Sequence, residues 1–246
     1  MDKILSDFNF LRVWHICRRE LRGYFFSPMA YVVAFVFWVF SGVFFWSSFF
    51  LQGQADLRNY FSMLPWMLTF IVPAVTMRLL AEEKSSGSYE VLLTLPVTIF
   101  EVVFAKFLSA SLFCAFILLL VPLYGLSVSA LGDLDWGPVI GGFIGAIFLA
   151  SFYSALGLFA SSFSKNQIIA FLGGVVLCLV FFIVDKFLFF LPDFFLSVVH
   201  YISSDYHFKN IAKGMLDSRD LGFFLSGIAL FLMFTQYVLR RQFVGR

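Results

Sequence analysis

Charge in this chain is confined to short breaks between long uncharged runs, and that pattern restricts what it can fold into. Met29 to Leu51 gives 23 consecutive uncharged residues, Tyr60 to Met77 gives 18, Phe107 to Gly132 gives 26 and Trp136 to Ser164 gives 29. A fifth run extends from Asn166 towards Phe190, with Asp185 and Lys186 near its far end, and Leu221 to Leu239 is the last. A helix rises about 1.5 Å per residue and a hydrocarbon core is about 30 Å thick, so about 20 apolar residues cross it. The expected fold is all-α, a polytopic membrane protein with six transmembrane helices. Composition agrees, with 61% hydrophobic and 13% charged residues, against roughly 45–50% and 25% in soluble domains.

The break after the second run holds the most detail. Arg78, Glu82, Glu83 and Lys84 cannot sit at mid-bilayer, where each charge costs roughly 2.5–3.5 kcal/mol on the most lenient scale. The chain therefore leaves the membrane there. Gly87 and Ser88 end the incoming helix, Tyr89 to Leu95 has the length of about two helical turns, and Pro96 stops it because proline lacks the N–H that continues the ladder. Thr98 and Glu101 have the spacing of a capping box, in which the hydroxyl takes the third helical amide and the carboxylate reaches back to the cap. The hinge, residues 78–101, thus reads as helix, short transverse helix, helix.

Elsewhere the signals are weaker. Phe10, Trp14, Cys17, Leu21 and Tyr24 recur at helical spacing while Arg12, His15, Arg19 and Arg22 take the other face, so residues up to Ser27-Pro28 form an interfacial amphipathic helix. Its arginines suit anionic lipid. The segment is too basic to be a cleaved leader. Pro65, Pro73 and Pro122 lie inside runs and can kink them. In the fourth run Gly142, Ala146, Ala150 and Ser154, beside Gly141 and Gly145, form a small-residue ridge that lets another helix approach, within the subunit or between copies. Residues 192–220 are long for a loop, and Phe208, Ile211, Ala212, Met215 and Leu216 mark the apolar face of an outer helix there, with Lys209, Asn210 and Lys213 facing elsewhere.

Several functions are excluded by what is missing. No phosphate-cradling loop occurs, indeed no Gly-Lys pair, so the chain is not expected to be an ATPase or an enzyme of any kind. There is no HExxH or Gly-x-Ser-x-Gly, and no ionisable group lies at the centre of a run, as cation-coupled carriers require. His200, Asp205 and His207 lack the i, i+4 spacing of helical zinc sites, and Cys17, Cys114 and Cys178 lack ligand spacing and read as buried packing thiols. No metal, cofactor or nucleic-acid partner is expected. With six spans both termini share one side, and residues 1–27, 78–106, 165 and 240–246 on that side carry 12 of the 17 Lys and Arg. The positive-inside rule puts both termini and the hinge in the cytoplasm.

Three stretches carry a family resemblance. The hinge has Arg78-x-x-Ala81-Glu82, then Gly87-Ser88-x-Glu90-x-Leu92-Leu93-Thr94-Leu95-Pro96, then Glu101 and Lys106 five residues apart. Near the start stands Arg19-Glu20-Leu21-x-x-Tyr24-Phe25-x-Ser27-Pro28, and near the end Tyr206-His207-Phe208-x-x-Ile211-x-Lys213-Gly214-x-Leu216-Asp217. Together these resemble the ABC-2 type transporter permeases, and most of all the small gliding-motility (GldF-like) subunits. The resemblance implies a permease that couples ATP hydrolysis by a partner to substrate movement across the cytoplasmic (inner) membrane, with ATP and Mg held by that partner. It implies a cytoplasmic ABC ATPase subunit, a second permease copy or paralogue, and an extracytoplasmic auxiliary subunit as partners. Residues 1–27 become an elbow helix, marked by Arg12, Arg19, Glu20 and Arg22, and residues 28–246 the transmembrane domain. The transverse helix becomes a coupling helix resting on the ATPase through Gly87, Tyr89, Glu90, Leu92, Leu93 and Pro96, with Arg78, Glu82 and Glu83 as hinge ion pairs. Residues 192–220 become re-entrant helices of the outer leaflet. The alternative is a membrane anchor in a motility or assembly complex that uses the ATPase for force. The phenylalanine-rich spans identify no substrate.

Overall fold

The computed structural model describes residues 9–52, 56–87, 97–186, 201–215 and 217–244. The transverse segment from Ser88 to Pro96, with Tyr89, Glu90, Leu92 and Leu93, lies outside the described residues, as do His200 and Leu216. In chain order the helices are α1 (Phe10–Phe25), α2 (Pro28–Gln52), α3 (Arg58–Thr76), α4 (Arg78–Ser86), α5 (Ile99–Leu118), α6 (Leu120–Ser129), α7 (Trp136–Ser161), α8 (Gln167–Ile183), α9 (Ser204–Ala212) and α10 (Ser218–Val244). Among the described residues six helical stretches are long and apolar enough to cross a membrane: α2, α3 with α4, α5 with α6, α7, α8 and α10.

Helix ends follow the local chemistry. Asn9, Asp135, Asn166 and Ser203 each accept an amide hydrogen bond as N-caps of α1, α7, α8 and α9. Thr98 and Glu101 close the full capping box at α5. Gly87 ends α4 at φ 73°, a left-handed conformation that favours glycine. The second span breaks for one residue at Met77, one turn past Pro73, and the third at Leu119, just ahead of Pro122. Pro122 lacks the amide that would reach the Leu118 carbonyl, next to the break at Leu119, whereas at Met77 the bond to the Pro73 carbonyl is kept at 2.9 Å.

α7 sits at the centre, touching α3, α4, α5, α6, α8, α9 and α10. The second, third and fourth spans are 61–67% buried, against 28%, 28% and 17% for the first, fifth and sixth, so three inner helices carry three outer ones. Bilayer lipid is as apolar as leucine, so close van der Waals approach rather than apolar burial holds these helices together. The small-residue ridge of α7 is spent inside the subunit. Gly142 lies under the Phe61 ring of α3, Gly141 and Gly145 receive Ile211 and Phe208 of α9, and Gly157 lies against Thr76. Cys17, Cys114 and Cys178 are free and buried.

At the end opposite α1 and α4, the outer helix is shorter than its apolar pattern suggested. α9 ends at Ala212, and Met215 is exposed beyond it. Its buried side includes Asp205 and His207 as well as Phe208, Ile211 and Ala212. Asp205 Oδ2 takes Lys186 at 3.0 Å and Lys209 at 2.7 Å. His207 Nδ1 lies 2.6 Å from Asp220 of α10, its Nε2 is 3.2 Å from the Tyr201 carbonyl, and its ring stacks on Phe223. These pairs pin α9 over the ends of α8 and α10.

A methyl group at position 142 would stand 2.3 Å from the Phe61 ring, whereas one at Gly173 would meet only the Ala160 Cβ at 3.6 Å, an ordinary contact. Gly142→Ala is therefore expected to destabilise the detergent-solubilised protein by about 1–3 kcal/mol, and Gly173→Ala to leave it unchanged. Equal thermal unfolding midpoints for the two variants would contradict this packing.

Candidate coupling site

Lys106 is the least expected residue of the hinge. It lies on α5, two turns past the capping box, and is fully enclosed. A buried ammonium is tolerated only when paired. Its Nζ lies 2.7 Å from Glu83 Oε1 of α4 and 3.3 Å from Glu20 Oε1 of α1. Arg19 completes the cluster, with Nη2 3.1 Å from Glu20 and 3.9 Å from Glu83. Three helices distant in sequence thus share one charge group, in which Lys106 is enclosed, the two glutamates are partly buried and Arg19 is exposed. Glu83 Oε2 is buried and has no hydrogen-bond partner among the described residues.

A cleft of about 270 Å³ opens beside the cluster, lined by Glu20, Tyr24, Arg78, Glu82, Glu83 and Lys106 among others. On its far wall Arg78 Nη1 donates to Ser27 Oγ at 2.7 Å, and the guanidinium lies 4.5 Å from the Tyr24 ring centroid. Tyr24 in turn donates to the Val75 carbonyl at 3.0 Å and stacks on Phe113 at 4.8 Å. The turn between α1 and α2 is thereby tied to the break between α3 and α4. Arg78 and Glu82 were expected to be hinge ion pairs, yet among the described residues neither forms one. Arg78 is turned to Ser27 and the Tyr24 ring, Glu82 one turn on stays exposed, and Glu83 faces α5.

α4 is held on its remaining sides by two contacts that sequence reasoning missed. Its N-cap residue Met77 offers no side-chain acceptor. Ser161, the last residue of α7, substitutes: its Oγ accepts from Leu80 N at 3.2 Å and Ala81 N at 3.0 Å and donates to the Met77 carbonyl at 2.9 Å. Lys84 donates to the Ser162 carbonyl and, at 2.6 Å, to Gln242 of α10. No spacing rule pairs residues 78 to 158 positions apart, so no sequence signal could have found either. The capping-box carboxylate does double service, since Glu101 Oε1 also accepts from Asn9 N at 2.8 Å and anchors the start of α1.

The predicted apolar stripe of α1 divides. Cys17 and Tyr24 are buried with Val13, whereas Phe10 and Trp14 are exposed, because the buried side is centred on Val13 against Ala105 of α5. Burial raises the Cys17 thiol above its ordinary value, and the Glu20 carboxylate adds to the rise. Of the marker residues, Arg19 and Glu20 enter the charge cluster, and Arg12 and Arg22 stay exposed. Among the described residues no group of three or more His, Cys, Asp or Glu side chains is placed to hold a metal ion.

A family model described as ABC-2 family transporter protein matches residues 43–238. The chain belongs to the ABC-2 transporter family. The match runs from the middle of α2 to near the end of α10 and includes α4, Lys106 and α9. No curated protein matches the chain. Family membership together with six apolar spans makes it a multi-pass membrane protein of the permease type, a type that generally works with a cytoplasmic ATPase subunit.

Burial alone would raise the Glu20 carboxyl, but the Lys106 ammonium and the Arg19 guanidinium outweigh it and hold Glu20 below the ordinary carboxylate value. Such a group adds stability above its unfolded value of about 4.3 and loses that contribution as pH falls through the folded value. The gap in thermal midpoint between the natural protein and Glu20→Gln is expected to be full at neutral pH and to close on acidification below about pH 4. A gap that ignores pH would dissolve the pairing. Ser161→Ala, which strips two buried amides of their acceptor, is expected to cost about 1–3 kcal/mol in the same assay, and a neutral result would remove Ser161 as the cap of α4.

Proposed function

We propose that this chain is the transmembrane subunit of an ATP-driven transporter of the ABC-2 type, and that the charged helix α4 transmits the state of a partner ATPase to the spans. The observation that carries the reading is the enclosure of Lys106 between Glu83 and Glu20. Through it α4 is joined to α1 and to the start of the third span. Ser161 and Lys84 join the same helix to the fourth and sixth spans. A displacement delivered to residues 88–96, which follow α4 directly, would therefore move charge-linked helices together rather than a free loop. Gly87, Tyr89, Glu90, Leu92, Leu93 and Pro96 make the contact with the ATPase in this reading, and α1 is the elbow helix beside it.

The ATPase partner supplies ATP and Mg, since the chain carries no phosphate loop, and the chain itself is not an enzyme. Two permease copies, or one with a paralogue, serve two ATPase subunits, and an extracytoplasmic auxiliary subunit completes the assembly. The bias of 12 of 17 basic residues to one side supports both termini lying inside, and the family resemblance supports the cytoplasmic membrane. The GldF-like motifs in the hinge and around Tyr206 to Asp217 support placement in the gliding-motility branch. Movement of a substrate by the reconstituted complex separates export from the alternative of a force-coupled anchor.

Burying one leucine contributes about 1.5–3 kcal/mol, so Leu92→Asp with Leu93→Asp is expected to release the ATPase in co-purification while the membrane-inserted protein keeps its yield. Lys106→Met leaves the partly buried Glu20 and Glu83 with only the exposed Arg19 between them, at about 3 kcal/mol, and is expected to lower ATP turnover of any complex that still assembles. Retention of the ATPase by the folded double-aspartate variant would end this reading of the hinge.

A further inference from the structure

α1 packs chiefly through one side, with Phe25 at its end also reaching the Phe113 and Phe116 rings of α5 at 5.8 and 5.2 Å. Val13, Cys17 and Tyr24 are buried against α5 and α2. At about 100° per residue, Phe10, Trp14 and Phe25 fall together on the adjoining side, and Arg18, Arg22 and His15 on the side next to it. All six are exposed, Phe10 by 62% and Trp14 by 44%. The helix holds four arginines and one acid, Glu20, and that acid is turned inward to Lys106. Among the described residues neither Arg18 nor Arg22 forms an ion pair.

The level of α1 decides what covers these two sides. It ends at Phe25, and the first span begins three residues later at Pro28. Phe26 between them is 85% exposed, and Met29 and Tyr31 at the head of the span are exposed too. α1 therefore lies where the first span enters the bilayer, with its aromatic side towards the acyl boundary and its guanidinium side at headgroup height. An acidic protein surface would meet the arginines and leave Phe10, Trp14 and Phe25 in water. A lipid leaflet covers both sides at once. Guanidinium groups form forked hydrogen bonds with phosphate, and two cations one turn apart, with no ion pair among the described residues, favour a headgroup with net negative charge over a zwitterionic one.

We propose that Arg18 and Arg22, flanked by Trp14 and Phe25, bind the phosphate of anionic phospholipid in the leaflet where α1 lies. The proposal is independent of the ATPase reading. The site holds α1 against the bilayer while its other side carries Glu20 and Arg19 to Lys106, so the lipid sets the position of the charge cluster from outside.

The full-length protein is reconstituted in phosphatidylcholine vesicles containing about a fifth brominated phosphatidylglycerol or, in parallel, about a fifth brominated phosphatidylcholine. The Trp14 signal is the fluorescence difference between the natural protein and Trp14→Phe. Brominated phosphatidylglycerol is expected to quench it several-fold more effectively at low salt, with the preference falling up to roughly fivefold for each arginine removed and disappearing in Arg18→Gln, Arg22→Gln. The Arg18→Lys, Arg22→Lys variant, which keeps the charge, retains most of the preference, and raising the salt erodes it in the natural protein without any substitution. Equal quenching by the two brominated lipids in the natural protein at low salt overturns the proposal, as does a preference that survives the double glutamine variant. Loss of a co-purified ATPase in that variant with lipid preference intact would assign the face to a protein instead.

Discussion

The arrangement of the hinge depends on one buried cation. Lys106 is fully enclosed and satisfied only because Glu83 and Glu20 arrive from two other helices. Buried ion pairs of this kind often add little net stability over apolar residues of the same volume, but breaking one by removing a single partner is costly. The consequence is coupling rather than strength. α1, α4 and the first turns of α5 cannot separate without exposing or orphaning a charge, so they move as a unit or pay for desolvation.

Around that unit the protein places soft elements. The second span is broken at Met77 below Pro73 and the third at Leu119 above Pro122, so the two spans that flank the hinge are also the two that bend. Between them α7 stays continuous from Trp136 to Ser161 and packs through glycines too tight to tolerate a methyl group at positions 141, 142 and 157. A rigid central helix with jointed neighbours suits a membrane protein that changes the packing of its spans. Its end, Ser161, caps α4, so the central helix also fixes where α4 begins.

The opposite end is built by the same device in a different setting. Asp205 gathers Lys186 and Lys209, and His207 is held by Asp220 while stacked on Phe223. Both ends of the bundle are therefore locked by charge, while the middle is held by shape and by hydrogen bonds between uncharged groups, such as Ser41 with Tyr60 at 2.8 Å and Trp38 with the Ile117 carbonyl at 3.0 Å. That division follows from the solvent. Ionic groups are affordable near headgroups and water and very costly at mid-bilayer.

The spans, their number, the caps at Thr98 and Glu101, the stop at Gly87 and the small-residue ridge of α7 were all legible in the sequence, because each depends on residues within about a turn of one another or on the cost of charge in lipid. The family resemblance was legible for a similar reason, since its motifs are local. What the sequence could not decide is which charges meet. Arg78, Glu82 and Glu83 stand within six residues of chain, yet Arg78 goes to Ser27 and Tyr24, and Glu83 goes to a lysine 23 residues away. Nor could helical periodicity say that Phe10 and Trp14 face outward while Val13 faces α5, because a helix with aromatic residues on two sides has two possible inner faces. Those choices belong to tertiary packing: the direction in which α1 crosses α5, and the turn taken at Met77, determine which side chains lie within reach of one buried ammonium.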